Sequence, residues 1–108
     1  MVLIKDNWME KTIEQKLPEI KELFIKYGAV SAYLFGSAAK NTLKKNSDID
    51  FLFSFSPEID FVTYSDNYFL LCEELENLLH KPVDLVAEKT LHNKYLIESI
   101  NESKIRLL

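Results

Sequence analysis

Apolar positions step by four and by three along Ile13, Leu17, Ile20, Phe24 and Tyr27, which predicts one amphipathic helix over residues 8–27, ended by Gly28. The run AVSAYLF that follows lies between two glycines and predicts a strand from residue 29 to 35, although its length alone also suits a buried helical turn. In SDIDFLFSF the period changes to two: Ile49, Phe51, Phe53 and Phe55 share one side of a strand, and Asp48, Asp50, Leu52 and Ser54 share the other. After the turn at Pro57, Tyr64, Tyr68, Leu71, Leu75 and Leu78 restore the helical step, so a long helix is expected from Phe61 to about Leu79. Beyond Pro82, VDLVA reads as a third strand. Thr90 is the expected N-cap of a last helix carrying Leu91, Tyr95, Leu96, Ile97 and Ile100, and KIRLL is expected to add a terminal edge strand.

This order of elements predicts an α/β (α+β) fold, a small mixed sheet with helices packed on one side of it. The helix from Phe61 is long enough to carry the chain back, so that the third strand lies beside the second. In that arrangement Asp84, which alternates with Val83 and Leu85, comes level with Asp48 and Asp50 on the same face. A chain of 108 residues holds one core, and a single domain over residues 1–108 is expected.

Composition narrows the partners. Hydrophobic residues form 47% and charged residues 28% of the chain, as in a folded globular protein. The short apolar run before Lys5 falls far short of a signal-peptide core, no stretch approaches a membrane span, and a cytoplasmic location is expected. Cys72 is the only cysteine and there are two histidines, so the chain has no internal disulfide and no zinc-spaced cluster. With 13 basic and 17 acidic residues, the net charge of −4 offers no general attraction to a phosphate backbone.

The chemistry concentrates between Leu34 and Phe55. Two carboxylates on one strand face repel each other, and a third nearby raises the cost unless a cation sits among them. Hard oxygen donors without His or Cys suit Mg²⁺ or Mn²⁺, whose remaining ligands are commonly substrate phosphates. Gly36 leaves room for close backbone approach to a phosphate, Ser37 can donate to its oxygens, and a short helix starting there adds its dipole. Lys40, Lys44 and Lys45 give the connecting loop local positive charge. Such a site suits in-line displacement at a nucleotide phosphorus.

At these residues the chain resembles the minimal nucleotidyltransferases (MNT) of the polymerase-beta-like superfamily, the antitoxins of HEPN/MNT toxin-antitoxin pairs. The family signature is Gly-Ser, ten residues, then Asp-x-Asp; here Gly36 and Ser37 are followed by the ten residues 38–47 and then by Asp48, Ile49 and Asp50. The resemblance extends through PVDLVAEKTLHNKYLIESI, where the family carries its third acidic residue on a Val-Asp-Leu-Val strand. Where members often have Arg then Gly in the loop, this chain has Lys40 and Asn41, keeping a charge without the bidentate fork.

The resemblance implies the polymerase-beta-like fold and transfer of AMP from ATP, with Mg²⁺, to a protein hydroxyl, tyrosine in the pairs, on a helical HEPN ribonuclease toxin. It implies that Asp48, Asp50 and Asp84 are the catalytic and metal-binding residues, with Asp84 able to help deprotonate the hydroxyl, and that Gly36 and Ser37 hold the nucleotide. A second reading keeps the fold for binding alone, silencing the partner by covering it. Three mutually repelling aspartates on one face favour the enzyme, and the acidic balance disfavours RNA ends as acceptor. Taken singly, the loop lysines read as solvated surface, Cys72 as a small buried hydrophobe, His80 and His92 as helix-end residues, and Trp8 as a packing anchor.

Overall fold

The three expected strands form where the pattern places them, as β1 (Ala29–Phe35), β2 (Ile49–Phe55) and β3 (Val83–Ala87), in a computed structural model that describes residues 10–108. A fourth, β4 (Ile105–Arg106), is the terminal edge strand, and the sheet order is β3-β2-β1-β4. β1 runs antiparallel to β2 and to β4, while β2 and β3 are parallel, so the sheet is mixed.

The first helix departs from expectation. Its stripe continues, but the backbone breaks into α1 (Lys11–Glu14) and α2 (Leu17–Lys26). Pro18 lies in the first turn of α2, the one place where a missing N–H costs nothing; in a continuous helix its ring would meet the carbonyl four residues back. Ile13, Ile20 and Phe24 are still buried together, so the break does not interrupt the apolar stripe. Trp8 lies outside the described residues.

A one-turn α3 (Gly36–Ala39) follows β1, and α4 (Phe61–Leu79) occupies the expected range, capped by the Asp60 carboxylate accepting from Thr63 N at 2.8 Å. His80 ends α4 in the left-handed conformation. On the core face, Phe24 meets Phe51 edge-on at 5.4 Å between ring centroids, and Tyr64 of α4 meets Phe55 in the same way at 4.9 Å.

The last helix, α5 (Lys94–Ser103), is capped by Asn93 rather than Thr90: Asn93 Oδ1 accepts from Tyr95 N at 2.9 Å and Leu96 N at 3.1 Å. Thr90 instead closes a single 3₁₀ turn and donates to the Ala87 carbonyl at 2.7 Å, which leaves Leu91 ahead of the helix. Nor does α5 join α2 and α4 on their side of the sheet. Leu52, which alternates away from Phe51 and Phe53, lines a hollow of about 320 Å³ with Ile97 and Ile100, so α5 lies against the opposite face of the sheet. Tyr95 and Leu96, expected on its packing stripe, are 81% and 45% exposed. Among the described residues, no helix is long and apolar enough to cross a membrane.

Candidate active site

The ladder brings the candidate residues to one end of the sheet. Phe35, the last residue of β1, lies opposite Asp50, and Asp50 lies beside Asp84 in the parallel β2/β3 pair. Residues directly paired across strands point to the same face, so the two carboxylates stand side by side. Asp48 lies in the loop just ahead of β2 and is exposed.

Gly36 follows Phe35 with a φ of +70°, and a Cβ built on it would overlap Oδ2 of Asp50. The glycine therefore does more than the sequence suggested: its missing side chain leaves the space that the Asp50 carboxylate occupies. Ser37 is half-buried, and its carbonyl accepts from Thr42 N at 2.8 Å, closing the turn after α3 through Asn41 in the left-handed conformation. The Ser37 hydroxyl makes no hydrogen bond among the described residues. Lys40, Lys44 and Lys45 are exposed on the following loop.

Electrostatically the group centres on Asp50. Partial burial, then the charge of Asp84, then that of Asp48, push its carboxyl up to about 6. Among the described residues no cation pairs with these carboxylates, and the one ion pair, Lys26 with Glu74, is elsewhere. Nor do any three His, Cys, Asp or Glu side chains among the described residues close into a ready-made metal cluster. The arrangement is an adjacent pair with a third carboxylate close enough to be felt. Its donors are all carboxylate oxygens with uncompensated charge, which fits a hard divalent cation and not a thiolate or imidazole site.

The supports of Asp84 were not legible as such. Glu76 of α4 accepts from Val83 N at 2.9 Å, and the Tyr68 hydroxyl donates to the Leu85 carbonyl at 2.7 Å. These bonds flank Asp84 and fasten its strand to α4. Tyr68 was visible as a member of an apolar stripe; Glu76 gave no signal, because it acts by reaching backbone several residues away. Cys72 is half-buried on the same helix, with its sulfur 3.8 Å from the Val83 carbonyl, in keeping with a packing role. Lys81, just before β3, donates to the carbonyls of Lys44 at 3.1 Å and Lys45 at 3.0 Å.

The chain is similar to known proteins over most of its length. The family model described as nucleotidyltransferase domain matches residues 8–107. A protein of Methanocaldococcus jannaschii named "putative protein adenylyltransferase" is 38% identical over 97 residues, spanning 82% of this chain and 95% of the relative. A solved "putative minimal nucleotidyltransferase" superposes with a TM-score of 0.73 at 28% identity, covering 90% of this chain and 95% of that one. The fold is also similar to a complex of the tri-AMPylated Shewanella oneidensis HEPN toxin with MNT antitoxin, with a TM-score of 0.60 at 21% identity over 88% of this chain and 71% of that one.

Proposed function

The chain belongs to the nucleotidyltransferase domain family, and from that premise we propose that it is a protein adenylyltransferase that moves AMP from ATP to a hydroxyl, tyrosine by preference, of a HEPN toxin and so neutralises it as the antitoxin. The observation that carries this reading is the side-by-side placement of Asp50 and Asp84 on the sheet face opposite α2 and α4, next to a glycine turn. The protein adenylyltransferase name of the Methanocaldococcus jannaschii relative and the AMPylated toxin in the Shewanella oneidensis complex support the reaction and the partner.

Asp48, Asp50 and Asp84 are the residues that would hold a divalent cation, Mg²⁺ or Mn²⁺. When bound, such a cation supplies neutralisation of the triphosphate charge. The Gly36–Ser37 turn presents backbone and the Ser37 hydroxyl to the phosphates. The acceptor oxygen attacks the α-phosphorus, the bond between the α-phosphorus and its bridging oxygen breaks, and pyrophosphate leaves with that oxygen. In this reading Asp84, exposed on the edge strand, takes the proton of the incoming hydroxyl.

The test is transfer of label from α-phosphate-labelled ATP, with Mg²⁺, to the co-purified toxin. Label that appears with the natural chain and disappears with Asp50→Ala is the expected result. A complex that forms and silences the toxin without label overturns transfer and leaves binding alone as the means of neutralisation.

A further inference from the structure

Asp48 differs from the other two carboxylates in what holds it. Asp50 and Asp84 are fixed by ladder register, whereas Asp48 precedes β2, is exposed, and makes no hydrogen bond or ion pair among the described residues. Its place is set by the loop before it. That loop has one ordered feature of its own near Asp48, a turn in which Ser47 N donates to the Lys44 carbonyl at 3.0 Å and Lys44 N donates to Ser47 Oγ at 3.0 Å.

The turn is tied down from outside. Lys81 Nζ donates to two consecutive carbonyls, those of Lys44 and Lys45. Immediately beside this tie, Ile49 N donates to the Pro82 carbonyl at 3.0 Å, so backbone and side chain join the same two segments. Lys45 stands three residues before Asp48 and Lys81 three residues before Asp84, and the tie therefore joins the approaches to both carboxylates at equal depth. An ammonium engaged by two neutral carbonyls, with no carboxylate partner among the described residues, adds little to surface electrostatics. Its effect is geometric: three donors on a compact head can hold two adjacent carbonyls at once.

We propose that Lys81 is a positioning residue that latches the Lys44–Ser47 turn and thereby sets Asp48 against Asp50 and Asp84 for cation binding. The proposal rests on the nucleotidyltransferase reading of the carboxylates, and its test separates the two. Lys81→Met keeps the stem and removes the donors; Lys81→Arg restores donors. In metal-free protein, Lys81→Met should speed amide hydrogen exchange across residues 44–48 while leaving β2 and β3 protected. Without nucleotide, it should weaken Mn²⁺ binding, followed by the paramagnetic signal of free Mn²⁺, roughly five- to tenfold, the scale of losing one charge-assisted bond at a solvated site. Transfer should lose a similar factor in kcat with nucleotide KM nearly unchanged, and Lys81→Arg should recover most of it. In an Asp48→Asn background, Lys81→Met should add nothing, since its effect passes through Asp48. Unchanged exchange and Mn²⁺ affinity in Lys81→Met, or an equal loss in the Asp48→Asn background, overturns the latch and leaves the functional reading standing. Mn²⁺ affinity that is the same in the natural chain and in Asp50→Asn overturns the functional reading and this inference with it.

Discussion

Alternate residues of β2 build two surfaces that meet different surroundings. On one side, Ile49, Phe51, Phe53 and Phe55 are each at most 7% exposed, under the apolar sides of α2 and α4. On the other, Asp50 and Ser54 are only partly covered, and Leu52 alone is buried, beside α5. The first face gains from every contact, each fully buried aromatic contributing about 1.5–3 kcal/mol. The second carries carboxylates that repel one another. Concentrating cohesion on one face lets the same strand hold unfavourable charge on the other without unfolding, and a set of substitutions can test that division.

The largest effect is expected on the core face. Phe51→Ala removes a fully buried ring that meets Phe24 edge-on, and should cost about 3–5 kcal/mol in urea denaturation. A loss below about 1 kcal/mol would mean that this face does not carry the stability.

Next comes a comparison of the two glycines. Gly36→Ala forces a Cβ into the Asp50 carboxylate at a left-handed φ, and should cost about 1–2 kcal/mol together with most of the transfer activity. Gly28→Ala, at a φ of +91°, would press on Cδ1 of Ile59, the far end of a flexible side chain. It should lose comparable stability with transfer per folded molecule unchanged. Equal loss of transfer in both would separate Gly36 from the site.

How much of this was legible follows from the range of each signal. The three main strands and α4 were readable because glycine, proline and periodicity act within a few residues, and Gly-Ser with Asp-x-Asp marked the end of the sheet where Asp50 and Asp84 meet. The break between α1 and α2 is masked by a stripe that stays in step across it, and Pro18 is its one local mark. The start of α5 is ambiguous in the sequence because Thr90 and Asn93 are both good caps, and its packing is ambiguous because a helix stripe does not say which sheet face it meets. The ties from Glu76 and Lys81 to distant backbone atoms leave no periodic trace at all.

On the carboxylate face the expected sign reverses. A carboxyl held up to about 6 binds its proton more tightly in the folded chain than in the unfolded one, where 3.8 is usual. The stability linked to Asp50 is therefore fully present below about pH 4, declines as pH rises, and is lost above about pH 6. Asp50→Asn should remove that decline and, at pH 7.5 with metal chelated, stabilise the protein by on the order of 1 kcal/mol, since solvent on its open side screens the repulsion. Added Mg²⁺ should raise the Tm of the natural chain more than that of the variant. A variant less stable than the natural chain at pH 7.5 would show that Asp50 is held by favourable contacts.

The smallest effect tests the turn between the faces. Asn41, at a φ of +57°, follows the last turn of α3, where Thr42 N donates to the Ser37 carbonyl at 2.8 Å, a helix-ending bond that favours a left-handed residue before it. Asn tolerates that conformation better than other side-chain-bearing residues, so Asn41→Gly should gain only about 0.5 kcal/mol, while Asn41→Ala should lose about 1 kcal/mol. Because Asn41 carries no charge and the turn keeps its shape with glycine, transfer should be unchanged in Asn41→Gly. Differential scanning calorimetry that ranks the variants Gly above Asn above Ala would make the turn a backbone requirement. A drop in transfer with Asn41→Gly at unchanged Tm would instead assign the Asn41 side chain to the nucleotide, and would extend the functional face of the sheet into the loop.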